Sequence, residues 1–257
     1  MEDSFLLFAL VGFLAQLVDG ALGMAYGVVS SSVLLAFGVT PAAASASVHA
    51  AEVFTTAASA GSHVWHRNLN WRLFWRLAPA GVLGGVIGTY VLTSFDSGFL
   101  RPIVAGYLGV MGVYILYRAY RWDRAHTVHG AASLVPIGAT GGFMDAVGGG
   151  GWGPVVTTAL VGSGGAPRET IGTVNTAEFF LTVAGSVSFL VALLTGHWDE
   201  AEGLSGHIRA VAGLIVGGVA AAPLAGYVLR VIPARRLMIL VGLLIVALAA
   251  YQTARLL

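Results

Sequence analysis

Residues 145–154 read DAVGGGGWGP, an acid followed after two residues by four consecutive glycines, inside a chain that is otherwise apolar. Glycine is the poorest helix former short of proline, so the run predicts a break in a helix. The solvent of that break is set by composition. The 257 residues are 57% hydrophobic and 10% charged, with a mean hydropathy of +0.83, whereas a soluble domain carries roughly 25% charged residues. Apolar blocks close to a bilayer span, roughly 20 residues, recur from end to end. The expected fold is an all-α polytopic membrane protein, one membrane domain over 1–257.

The absence of cysteine excludes disulfides, thiolate metal sites and a cysteine nucleophile. A net charge of +1, with arginine as the only basic side chain besides histidine, offers no surface for nucleic acid. The opening MEDSFLLF carries acids where a signal peptide places positive charge, so this segment is expected to stay as structure.

Sliding the chain against itself by 126 positions brings Asp19 onto Asp145, Gly23 onto Gly149, Gly27 onto Gly153, Gly38 onto Gly164, Pro41 onto Pro167, Val48 onto Val174, Glu52 onto Glu178 and Thr56 onto Thr182. Intramembrane acids are rare, and two coinciding at one offset indicate an internal repeat, with repeat one at about 4–122 and repeat two at about 130–256. The basic segments around Arg67, Arg72 and Arg76, around Arg118, Arg121 and Arg124, and around Arg230, Arg235 and Arg236 are placed inside by the positive-inside rule. The connections with Asp96 and with Asp199, Glu200 and Glu202 are then outside. Segment 41–62 ends inside and its counterpart, about 168–195, ends outside, so the repeats are expected to be inverted, an arrangement characteristic of secondary transporters.

Each half begins with two short apolar pieces, 5–18 and 25–38, then 131–144 and 153–164. At about 14 residues, or about 21 Å of helix, they read as re-entrant or broken hairpins, each followed by three transmembrane helices; a tilted span is the alternative. The tips, DGALGMAYG and DAVGGGGWGP, are expected to meet near mid-membrane. Unpaired backbone there needs a wet or ligand-filled cavity, and the amides at the start of the following helix, entered through Pro154, form an anion site. Close helix packing through small residues is the simpler reading. A nucleotide loop is excluded, because Trp152, Gly153 and Pro154 follow the glycines where Gly-Lys-Ser/Thr is required.

Asp19 and Asp145 stand at the tip entrances, where a carboxylate caps amides or gates them. Glu52 and Glu178 lie inside apolar helices, where burial favours the neutral acid. His49, Glu52 and Thr56 share one helical face, as do Asn175, Glu178 and Thr182. These residues are the candidate ion-coupling or gating set: Asp19, Asp145, His49, Glu52 and Glu178, with H⁺ or Na⁺ as the coupling ion. The candidate substrate contacts are Gly23, Gly148, Gly149, Gly150, Gly151, Trp152, Asn175, Thr56 and Thr182. No catalytic set, resident metal or cofactor is expected. His63 and His66 beside Trp65 read as interfacial, and Trp71, Trp75, Tyr117, Tyr120, Trp122 and Trp198 as interfacial anchors.

The stretches GGFMDAVGGGGWGPVV, PRETIGTVNTAEFF and HRNLNWRLFWRLAPAGVLGGVIGTYV resemble the repeated signatures of the TauE/SafE membrane proteins, the sulfite exporter family, and DGALGMAYGVVSSSVLLAFGVTPAAASASVHAAE matches with fewer glycines. The resemblance spans essentially the whole chain. It implies a multi-pass protein of the bacterial or archaeal plasma membrane that moves small sulfur-containing anions such as sulfite or organosulfonates. Four ionised acids would repel such an anion, so some are expected to be protonated or hydrogen-bonded during transport. Two other classes were weighed. An intramembrane enzyme lacks its expected contexts, since GSGG at 162–165 falls in a predicted loop. A passive channel fits inverted repeats but is disfavoured by paired ionisable stripes and by Trp152 at a tip.

Overall fold

Among the described residues ten α-helices follow in the order α1 (Ser4–Leu22), α2 (Tyr26–Ala36), α3 (Pro41–Trp65), α4 (Trp71–Ser94), α5 (Ser97–Tyr120), α6 (Leu134–Gly148), α7 (Thr158–Gly162), α8 (Pro167–Leu194), α9 (Ile208–Ala221) and α10 (Ala234–Leu256). The computed structural model describes residues 4–121, 134–162, 166–198, 208–224 and 233–256, and no strand occurs among them. Trp122, Arg124, Arg230, the acids Asp199, Glu200 and Glu202, residues 163–165 of GSGG with Gly164, and 130–133 lie outside the described residues. Stretches of α1, α4, α5, α8 and α10 are long and apolar enough to cross a membrane.

The hairpin helices run further than the sequence suggested. Helix α1 continues through Asp19 to Leu22, and α6 through Asp145 to Gly148. Both aspartates still take part in the backbone ladder: Gly23 N donates to Asp19 O at 2.5 Å and Gly150 N to Asp145 O at 3.1 Å. The second break is therefore Gly149 to Gly151, and only Gly149 (φ 62°) and Gly150 (φ 157°) use the left-handed half of the map. In the first break Gly23 (φ 67°) and Ala25 (φ 116°) do so. The chain after the second break enters α7 through a π-helical turn, Gly153–Thr157, with Pro154 in its first turn.

Each hairpin doubles back. The rings of Phe8 on α1 and Phe37 just past α2 meet at 5.7 Å, and a Cβ on Gly141 of α6 would lie 2.5 Å from Val156 Cγ2. Their outer ends sit toward opposite ends of α5. Arg101, in its first turns, donates from Nη2 to Gly38 O at 3.1 Å, while Tyr114, toward its far end, bonds Thr158 Oγ1 at 3.0 Å.

Helices α3 and α8 cross antiparallel, since Ser59 meets Asn175, Thr56 meets Thr182 and His49 meets Gly185. Helices α5 and α10 do the same, with Gly109 against Ala249, Gly112 against Ile245 and Gly242 against Leu116. Helix α4 lies parallel to α6 and α1 parallel to α9, with glycines against backbone: Gly138 on the Leu77 carbonyl and Gly12 on the Leu214 carbonyl. Small residues at these seams let main chains approach, which is how helices gain van der Waals contact where lipid removes the hydrophobic drive.

Candidate functional site

The two breaks touch at the centre of this frame. A Cβ on Gly27 would lie 2.6 Å from Gly150 Cα, and one on Gly153 would lie 2.6 Å from Met24 Cα. Hydroxyls seal the seam. Ser31 Oγ donates to Gly149 O at 2.7 Å and Thr157 Oγ1 donates to Gly23 O at 2.9 Å. Ser31 and Thr157 are 126 residues apart, as are Gly149 and Gly23, so each half closes the other's turn with the same bond. Thr56 and Thr182, also 126 apart, face each other directly at 3.3 Å.

The break is not held open for a ligand. Asp145 Oδ1 accepts from Gly151 N at 2.7 Å and from Trp152 N at 2.9 Å. Tyr107 OH donates to Gly150 O at 3.0 Å, and Ser45 Oγ to Ala146 O at 2.6 Å. The expectation of free amides facing a wet cavity is thus corrected: the protein's own carboxylate and hydroxyls satisfy the backbone that leaves the helix, as burial demands. Asp19 plays the capping part in the first break with one bond, from Tyr26 N at 3.3 Å.

The glycines divide by task. Gly149 and Gly150 supply the backbone angles, whereas Gly148 and Gly151 make room for Tyr107, whose ring and hydroxyl occupy the space of a Cβ. Trp152 is fully buried, packs on Gly81 and Gly141, and donates from Nε1 to Val174 O at 3.1 Å. Its bulk holds the hairpin against α4 and α8, so in this state its polar edge is spent.

A titratable centre sits behind the second break. His49 Nδ1 lies 2.9 Å from Ser45 O. A carbonyl only accepts, so Nδ1 carries a hydrogen. The other ring nitrogen, Nε2, lies 3.3 Å from Asp145 Oδ2, the one ion pair among the described residues. With a hydrogen on Nδ1, Nε2 and Oδ2 are left facing each other with room for a single proton between them. Neither atom has a further hydrogen-bond partner, nor does Glu52 Oε2. His49, Glu52 and Asp145 each offer a ligand atom within 4.8 Å of the others, a spacing that suits a small cation as well as a shared proton.

The structure therefore gathers His49, Glu52, Asp145, Gly149, Gly150, Gly151 and Trp152, with Thr56 against Thr182 beside them. Glu178 is buried on the matching stripe. Asn175 is turned aside: its Nδ2 bonds Ser59 Oγ at 3.0 Å. Sequence reasoning missed Ser31, Ser45, Thr157 and Tyr107. The pairing of Ser31 with Thr157 was available at the same 126-residue offset but hidden by the change of residue type. Among the anchors, Trp71, Trp75, Tyr117 and Tyr120 are exposed, whereas Trp198 is only 5% exposed and packs on Phe189, so it belongs to the core.

The profile described as "Sulfite exporter TauE/SafE" matches residues 8–254. The chain belongs to the TauE/SafE family. A similar protein, "Probable membrane transporter protein YtnM" of Bacillus subtilis (strain 168), is 40% identical over 243 residues, 92% of this chain and 78% of that protein. No solved structure matches the chain. Membership of the TauE/SafE family, with several apolar helices, makes this a multi-pass membrane protein and a membrane transporter, and points away from an enzyme.

Proposed function

We propose that the protein is a secondary-active carrier of small sulfur-containing anions such as sulfite or organosulfonates, an exporter working by alternating access with proton coupling. Its frame is two inverted repeats, about 4–122 and 130–256, with basic loops inside. The reciprocal Ser31 and Thr157 bonds, the contact of Thr56 with Thr182 and the antiparallel α3 with α8 support a two-fold axis in the membrane plane.

The observation that carries the coupling is the shared role of Asp145. One oxygen caps the amides of Gly151 and Trp152, and the other faces His49 Nε2. The carboxylate occupies an anion site at a helix start. A proton delivered to Asp145 from His49 weakens that hold and frees the amides for a substrate oxyanion, so proton and anion move together. Glu52 and Glu178 line the route, and the direction follows the summed gradients. A second reading, Na⁺ in place of the proton, draws on the 4.8 Å cluster of His49, Glu52 and Asp145.

Proteoliposome flux of sulfite, sulfoacetate, thiosulfate, sulfate and a carboxylate, under imposed pH and Na⁺ gradients, tests this reading. Saturable counterflow of a sulfur anion driven by the pH gradient supports it. Drive by Na⁺ alone favours the second reading, unsaturable flux indicates a channel, and no sulfur-anion transport under any gradient contradicts the assignment.

A further inference from the structure

The outer end of α2 opens on a cavity of about 340 Å³ whose charged lining side chains, among the described residues, are Arg101 and Arg255. Its volume falls at the lower end of small-molecule sites, roughly 300–1,000 Å³. Arg101 comes from the start of α5 and Arg255 from the end of α10, so two distant parts of the chain bring like charges to one hollow. No carboxylate among the described residues pairs with either. Arg101 spends one donor on Gly38 O, and Arg255 lies 5.1 Å over the Tyr251 ring. A guanidinium has five N–H donors, so most remain for another acceptor.

The helix end alone would repel an anion, with roughly half a negative charge on its carbonyls. Two full positive charges outweigh it. Buried polar residues stand between this hollow and the tips: Gln252 in its wall donates from Nε2 to Ser32 O at 3.0 Å. Next along α2 stand Ser30 and Ser32, whose buried hydroxyls have no partner, and Ser31, which holds the second tip. The eleven residues of α2 put the cavity about 16 Å from the tips.

We infer that this cavity is an oxyanion vestibule, in which Arg101 and Arg255 hold a small sulfur or phosphorus oxyanion group at the outer end of α2. As a stage of transport it rests on the carrier reading; as a binding site it does not. The oxyanion is either a free solute or a lipid headgroup, and the arms below separate them.

The full-length protein is placed in pure phosphatidylcholine, and sulfite is the probe. The double variant R101Q/R255Q is expected to need about tenfold more sulfite for half-maximal counterflow, with the maximal rate kept and R101K/R255K restoring most of the loss. Sulfite protection against thermal unfolding in phosphatidylcholine nanodiscs, weakened in R101Q/R255Q, reads the same site without transport, so a wild type that binds in this way but does not transport overturns the carrier reading alone. Retention of phosphatidylglycerol by the purified wild type, lost in R101Q/R255Q at unchanged sulfite response, assigns the site to a lipid headgroup. Unchanged half-saturation, protection and lipid retention in R101Q/R255Q overturn the vestibule, with R101K/R255K confirming that the arginine positions tolerate exchange.

Discussion

The two breaks share a plan and differ in wiring. In the first, Asp19 holds one amide at 3.3 Å, and the residues after Gly23 are Met24 and Ala25. In the second, Asp145 holds two amides at 2.7 and 2.9 Å across three glycines, and His49 stands against its free oxygen. The residue corresponding to His49 is Asn175, which has no proton to exchange at this site. One frame thus carries a single-bonded cap in one half and, in the other, a double-bonded cap with a histidine against it. In the proposed carrier, near-symmetry would supply the alternating geometry and this departure from symmetry the coupling.

The largest effect is expected at Gly150. Its φ of 157° and the backbone of Gly27 and Val28 pressed against it leave no room for a Cβ. G150A should cost about 3–5 kcal/mol and abolish the folded fraction in detergent, although methionine stands at the corresponding position 24. Normal yield and melting for G150A would show that the second tip is not packed as described.

Removing the caps comes next. D145A deletes two amide bonds to one carboxyl oxygen and should lower stability by about 2–4 kcal/mol, against about 1–2 kcal/mol for D19A with its one bond. Thermal melting of both variants in one lipid reads the difference, and equal losses would erase the asymmetry of the two breaks. Smallest are S31A and T157V, each removing one interhelical hydroxyl bond at about 0.6–1.7 kcal/mol. Their costs should match each other within error. A large loss in only one of them would argue against the reciprocal seam.

Much of this was legible from residue identities alone. The offset of 126 residues located both acids, both tips and the two polar stripes, because intramembrane carboxylates and glycine runs are rare enough to align by eye. Helix ends were less legible: Asp19 and Asp145 look like breakers in sequence, yet their carbonyls keep accepting, so α1 and α6 run on for three more residues. The fate of the tip amides was hidden for a different reason. Whether a carboxylate six or seven residues upstream curls back onto them depends on the φ angles of Gly149 and Gly150, and these are set by contact with the other half. The pairing of His49 with Asp145 spans 96 residues and two helices, and no local pattern announces it.

The proposed coupling of protons to the anion runs through the His49 and Asp145 pair. H49N installs at position 49 the residue that the fold already accepts at position 175. Sulfite counterflow and its drive by an imposed pH gradient are measured side by side in proteoliposomes. H49N is expected to fold and exchange sulfite but to lose acceleration by the pH gradient, while N175A keeps it. Undiminished pH-driven flux in H49N would contradict it.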